Sequence, residues 1–425
     1  MNQTHKILPV YTSDVSGVCS ALYELGGMVV MHDPSGCNST YNTHDEIRWY
    51  EKDSLIFISA LTERDALMGN DRKFYEDVLD TAKELKPKFV AVTNSPIPYM
   101  MGTDFPALMG KLERELGIPC FYVPANGMHD YTMGAGRAFL GVAKRLVNAE
   151  YTSAVKHCVN VIGMTPLDYA APGSTKGICR ILEGAGYRVN SVWALDAPAE
   201  DIEKSAEAAV NLVVSSTGLL AAKYLQERFG IPYVAGTPVG DFTGVLIRAL
   251  EEAEAGKMTK AAYLEPAIRS EPAAGTEAPT ISEPAARAEE SVRTEQSARH
   301  GQSVNSGIGG GKAPGRVRDV CTLIGEPVVM GSFAAAVRLG RGMETRVLCP
   351  TEIHDGLIGE ADTAVHGEEE TAALLHEGDI IVADPMYRHI CPPDVSFWEL
   401  PTVALSGRIY LKKIPGIPGL QFGGM

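Results

Sequence analysis

Apolar positions along this chain come in short runs separated by amphipathic stretches. Residues 28–31 (MVVM), 55–60 (LIFISA), 89–93 (FVAVT) and 118–123 (IPCFYV) read as buried strands. Between them, residues 14–25, 71–85, 107–116 and 133–147 place apolar side chains at helical spacing. Gly26 and Gly27 close the first of these helices, Pro87 stops the second and Gly117 the third. Strands alternating with helices imply a parallel sheet with right-handed crossovers.

The rhythm then repeats. Strands are expected at 158–162, 188–194 and 212–214, with a short segment at 230–233. The matching helices are 174–184, 199–209, one ending at Phe229, and 242–253. A third unit has strands at 321–324, 345–348, 379–383 and 403–405, and helices at 332–338 and 371–375. The expected fold class is α/β, with three doubly wound, Rossmann-like parallel-sheet domains at 1–154, 155–254 and 320–425. Residues 255–319 break the pattern. They are rich in Ala, Glu, Pro, Ser, Gly and Arg and carry EPAA at both 271–274 and 283–286. So little apolar surface cannot offset the entropy of ordering the backbone, so a disordered linker or insert is expected.

Composition narrows the function. Of 425 residues, 45% are hydrophobic, which fits a globular chain. No apolar run approaches the roughly 20 residues of a membrane span, so no membrane partner is expected. The first ten residues lack a charged segment followed by an apolar one, so no signal peptide is expected and the cytoplasm is the expected compartment. A formal net charge of -15 argues against nucleic acid, whose phosphates call for a basic surface. The eight cysteines are scattered without a C-x-x-C pair, which excludes a zinc ribbon and a ferredoxin-type motif. Residues 307–312 (GIGGGK) resemble a phosphate loop, but Ser306 stands at the first Gly position and Ala313 at the Ser/Thr position, so a hinge is the better reading.

The stretch richest in chemistry is MVVMHDPSGC, residues 28–37. Pro34, Ser35 and Gly36 break the strand, and Cys37 follows at its carboxyl end, where open α/β sheets place ligands. A thiol there is either a soft-metal ligand or a small buried residue closing a turn. His32 and His44 either tune a site by titrating near neutrality or are hydrogen-bonded loop residues. Loops at Ser95, Thr165, Ser215 and Thr237 follow strands and are expected to line the space between domains. Arg388 and Arg408 either serve an anionic substrate or solvate a loop.

The chain resembles component 1 of nitrogenase and its relatives, which include protochlorophyllide and chlorin reductases, cofactor-assembly scaffolds and a nickel-tetrapyrrole reductase. The family's strand followed by His-Gly-Pro-x-Gly-Cys stands here as His32-Asp33-Pro34-Ser35-Gly36-Cys37, with Asp33 in place of the Gly. Softer matches are EKD at 51–53 through LTERD at 61–65 and Gly69, NLV at 211–213 through FGIPY at 229–233, and DIIVAD at 379–384.

The resemblance implies three domains around a central cleft and an iron–sulfur cluster at a subunit interface. It also implies electrons delivered by a separate ATP-dependent iron–sulfur reductase. Carried over, Cys37 is the metal ligand that matches, and Cys19 is the second candidate. The other ligand positions fall on Tyr11 and Ala125, with Cys120 too early and expected in the core. A [4Fe–4S] centre shared between two chains is therefore expected, with a carboxylate such as Asp14 or Asp33 available to complete it. The cysteine that anchors the iron–molybdenum cofactor in nitrogenase falls near Ser215 or Ser216, so that cofactor is not expected. Ser215, Thr217 and His129 are the candidate cofactor-binding residues, His129 with Asp130 facing the cleft. The expected assembly is a homodimer, or a heterotetramer with a related component 1 chain. The expected function is an oxidoreductase subunit reducing a small molecule. The alternatives are a non-catalytic scaffold for metallocluster assembly and a metal-free small-molecule binding protein.

Overall fold

The computed structural model describes residues 5–34, 46–151, 154–196, 198–256, 261–265, 268, 320–417 and 420. Helix α1 (Asp14–Leu22) leads into strand β1 (Met28–His32). Then come β2 (Leu55–Ile58), α2 (Glu63–Met68), α3 (Asp71–Leu85), β3 (Val90–Asn94), α4 (Pro96–Met101), α5 (Phe105–Leu116), β4 (Cys120–Val123) and α6 (Tyr131–Arg145). These strands form a parallel sheet ordered β2-β1-β3-β4. Its two faces follow from strand alternation. Met28, Val30, Val90 and Val92 pack on Phe74, Val78, Phe105 and Leu112. Val29, Met31, Ala91 and Phe121 point the other way, toward Val18, Ala135 and Phe139. Helices on both faces make the sheet doubly wound.

The second sheet takes β5 (Val155–Met164), β6 (Arg188–Ala194), β7 (Ala208–Val213) and β8 (Tyr233–Ala235). Its order is β6-β5-β7-β8, all parallel. The third takes β9 (Cys321–Ile324), β10 (Thr345–Cys349), β11 (Thr363–Ala364), β12 (Ile380–Ala383) and β13 (Ser396–Glu399). Its order is β11-β10-β9-β12-β13. Helix α7 (Pro327–Arg341) follows β9 directly, opened by the Glu326 cap and Pro327 in its first turn. The α/β class with parallel sheets is as the sequence pattern requires. The largest core cluster runs through all three sheets, joining Val29, Val161 and Leu323.

Three segments differ from the pattern. Residues 199–209 are helical only over Ala199–Glu203, continue as a 3₁₀ turn and become strand at Ala208. Residues 403–405, expected as a strand, belong to a helix, Val403–Ser406, because the Thr402 hydroxyl caps the Ala404 N–H at 3.2 Å and starts a turn. Within the stretch read as a linker, residues 261–265 and Ile268 are described. There Tyr263 is buried against Gly331 of α7 and donates to the Leu357 carbonyl at 2.9 Å. The rest of that stretch, apart from residues 255 and 256, lies outside the described residues.

One close approach sets the wall on which the candidate site is built. Helices α1 and α6 cross where Gly17 meets the backbone of Tyr131 and Gly134 meets that of Asp14. A Cβ at Gly134 would lie 1.9 Å from the Asp14 carbonyl oxygen, so only glycine lets the helices come this near.

Candidate functional site

The carboxyl end of β4 runs into a loop, residues 124–130, that is tied down by Asp14. Its carboxylate accepts the N–H groups of Asn126 at 3.0 Å and Gly127 at 2.9 Å, besides that of Val15 at 2.8 Å. Burial pushes this carboxyl above its usual range, against the pull of those N–H groups. Asp14 therefore has both oxygens committed to shaping the loop.

The shaped loop presents His129 and Asp130 to the loop after β10. The His129 ring Nδ1 lies 2.7 Å from Glu352 Oε1, and Asp130 Oδ2 accepts the Glu352 N–H at 2.6 Å. Behind these contacts opens a cavity of about 440 Å³, walled by Tyr11, Ser13, His129, Asp130, Glu352 and His366 among others. It lies where the strand ends of the first and third sheets meet, the place where α/β sheets bind ligands.

The other expected cofactor residues lie elsewhere. Ser215 and Thr217 are fully buried after β7, on the second sheet. The Ser215 hydroxyl donates to Asp168 Oδ2 at 2.8 Å, and the Thr217 hydroxyl donates to Ser215 at 3.2 Å. The structure thus places His129 in the cavity wall and closes Ser215 and Thr217 into an internal network. Ser95 and Thr237 are likewise buried rather than cavity-lining. Arg388 lies 3.6 Å from Glu399 and over the Phe397 ring, and Arg408 lies over Tyr50. Neither lines the cavity.

Cys19 is fully buried in α1, where burial and the charge of Glu46 push its thiol far above the ordinary range. Cys120 is in the core, as expected, its thiol pushed up to about 12 by burial first. His32 packs on Phe74 and Phe105, its Nδ1 lies 2.8 Å from Ser59 Oγ, and burial lowers it to about 4, so it is neutral at pH 7. Cys37 and His44 lie outside the described residues.

An iron–sulfur cluster needs several thiolate or carboxylate donors converging on one point. Among the described residues, no group of three or more His, Cys, Asp and Glu side chains is placed to hold a metal. Tyr11 and Ala125, where the resemblance sets the remaining ligands, carry no thiol. The described part of the chain does not by itself fit a cluster.

Three residues of consequence gave little local signal in the sequence. Glu352 matters only because β10 brings it opposite His129. Asp168 sits three residues beyond Thr165 in the loop after β5, with no motif of its own to single it out, and accepts the Tyr131 hydroxyl at 2.5 Å. Glu326 could have been noticed, since Gly325-Glu326-Pro327 after a strand marks a helix start.

A sequence profile of the nitrogenase component 1 type oxidoreductases matches residues 15–269, more than half of the chain. Nitrogenase iron-molybdenum cofactor biosynthesis protein NifE of Nostoc sp. is 28% identical over 183 residues, covering 42% of this chain and 37% of that protein. One of the subunits of the light-independent protochlorophyllide reductase of Zygnema circumcarinatum is 25% identical over 221 residues, covering 50% of this chain and 43% of that protein. The matched part thus spans about two-fifths of the length of these curated relatives. Among solved structures, nitrogenase Cp1 at pH 5 superposes with a TM-score of 0.54 at 15% identity, over 92% of this chain and 79% of that one, a likeness of fold. No helix among the described residues is long and apolar enough to cross a membrane. The chain belongs to the nitrogenase component 1 type oxidoreductases.

Proposed function

We propose that this chain is an oxidoreductase subunit that binds a reducible small molecule in the cleft between its first and third sheets. An ATP-dependent iron–sulfur reductase is the proposed source of electrons. The observation that carries the reading is the cleft, a 440 Å³ space at strand ends in a chain of this family. Small-molecule pockets measure roughly 300–1,000 Å³ and combine apolar walls with a few fixed polar groups. Here Val10, Met133 and Ile353 supply the apolar wall. Glu352 fixes one ring nitrogen of His129, which leaves the other as the ring's donor or acceptor toward a ligand.

Cys37 is the proposed ligand of a [4Fe–4S] cluster, completed by thiolates of a second component 1 type chain in a homodimer or heterotetramer. Bound there, a cluster would supply one-electron transfer. Cys19 is the weaker candidate, because a thiol this deeply buried resists the ionisation that ligation requires. The test is anaerobic reduction of the full chain with dithionite, followed by visible absorption and electron paramagnetic resonance. Reversible bleaching with a paramagnetic reduced state is expected. A chain that shows neither after reconstitution with iron and sulfide overturns the electron-transfer reading.

The scaffold reading is favoured by one observation, the likeness to NifE. A scaffold gives up its iron to an iron-free acceptor protein on mixing, whereas an electron-transfer subunit keeps it.

A further inference from the structure

A second, much smaller cavity of about 30 Å³ lies beside the cleft, walled by Tyr11, Tyr131, Asp168, Glu326, Val329 and Thr402 among others. That is room for a water molecule. Two carboxylates face this space from different sheets: Asp168 from the loop after β5, and Glu326 from the turn after β9. No Lys, Arg or His among the described residues lines it to balance them. Asp130, Tyr131 and Tyr169 are ionisable neighbours of Asp168, Tyr263 and Cys349 are those of Glu326, and Tyr11 completes the wall. None of them is cationic.

We propose that Asp168 and Glu326 form a proton-holding site, one proton between two carboxylates, that donates to a reducible molecule in the neighbouring cleft. Two like charges lining one small space with no cation beside them repel, which disfavours both being ionised near neutrality. The partners decide where the proton sits. Glu326 accepts three backbone N–H groups, from Ser216 at 2.8 Å, Val328 at 3.1 Å and Val329 at 2.8 Å, at the amino end of the 15-residue helix α7. Such donors and the helix dipole favour a carboxylate. Asp168 accepts only two hydrogen bonds, from the Tyr131 and Ser215 hydroxyls, and no backbone N–H or helix end, so its carboxylate is held less firmly than that of Glu326. Asp168 therefore holds the proton. Burial and the charge of Glu326 push Asp168 up to about 7, while burial raises Glu326 too, against the pull of its N–H donors, as expected of a pair with one proton between them.

The exit is Tyr131. It directly follows His129 and Asp130 of the cleft wall and stacks on Tyr11, which lines both cavities. In the transfer, Tyr131 passes its hydroxyl proton to a water in the small cavity, which shares its Tyr11 wall with the cleft, and takes the proton of Asp168. Asp168 is left as a carboxylate, Tyr131 is unchanged, and the proton is replaced from solvent along the same route. The acceptor is the ligand that has taken up electrons, so this use rests on the reading of the cleft given above; the held proton does not.

The test is infrared difference spectroscopy of the full chain between about pH 5 and 9, which reads the C=O band of a protonated carboxyl. The wild type is expected to lose one such band near neutrality. Asp168→Asn should abolish it, and Glu326→Gln, by removing the like charge, should move its midpoint down by about one unit or more. After a jump from high to low pH, Tyr131→Phe should slow return of the band about tenfold or more. A wild type without this band, or a band that persists in Asp168→Asn, overturns the site. An unchanged midpoint in Glu326→Gln, which keeps Asp168 in place should Asp168→Asn not fold, overturns the pairing. An unchanged return rate in Tyr131→Phe overturns the donor route. No iron enters the measurement, so these failures are separable from failure of the proposed function.

Discussion

His129 and Glu352 meet across the cleft with side chains 31% and 35% exposed, whereas a part-buried Asp168 and a buried Glu326 line one much smaller cavity beside it. The first pair joins opposite charge types within reach of water, so its interaction is weak and its groups stay available to a ligand. The second pair joins like charges with no cation beside them, so its state is governed by one proton. One helix wall separates them, and α6 begins at Tyr131 between the two. The contrast teaches that the group set opposite a carboxylate, a histidine or a second carboxylate, decides what that carboxylate is suited to.

The largest effect should come from breaking the shared wall. Gly134→Ala forces a Cβ onto the Asp14 carbonyl, and a clash with backbone is relieved only by moving a helix. A loss of roughly 3 kcal/mol or more is expected in denaturant unfolding, with both sites disturbed together. Gly184→Ala, with nothing within 4 Å of the new Cβ, is the control and should change stability by less than about 1 kcal/mol.

Next in size is the pH dependence of the carboxylate pair. Asp168 is raised to about 7 in the folded chain, against about 4 when unfolded. Between those values the folded state binds a proton that the unfolded state has released. Stability should therefore fall as pH rises from about 4 to 7, by a few kcal/mol in all, and then level off. Asp168→Asn should flatten that slope in thermal unfolding scans across the window. An unchanged slope would assign the proton to another group.

The smallest effect belongs to the open pair. A double-mutant cycle on His129→Ala and Glu352→Gln should give a coupling of about 1 kcal/mol or less, as exposed pairs do. A coupling well above that would mean that this pair is held more tightly than its exposure implies, and the contrast would weaken.

Much of this arrangement was legible in the sequence. Helices 71–85 and 174–184 and strand 321–324 match the structure end to end, because long amphipathic stretches and apolar runs between turn residues fix their own limits. The segment 403–405 was misread because a three-residue apolar run fits strand or helix, and the deciding hydrogen bond comes from Thr402, itself held through its N–H by Asp384 at 2.8 Å. His129 was legible because it follows a strand end. The pairing of Asp168 with Glu326 was not, since it depends on two loops more than a hundred residues apart meeting through the fold. Ser215 and Thr217 follow a strand as ligand loops do, yet the third sheet closes over them, with Glu326 accepting the N–H of Ser216.

The central claim is that this is an electron-transfer subunit whose metal hangs on Cys37, and the most direct measurement is iron and acid-labile sulfide on chains purified without oxygen. Wild type, Cys37→Ser and Cys120→Ser would be compared side by side, because a serine oxygen is a poor match for iron in a sulfide cluster. The account predicts equal iron and sulfide in the wild type and in Cys120→Ser, and neither in Cys37→Ser. Full iron in Cys37→Ser, or a wild type that holds none after reconstitution, would contradict it.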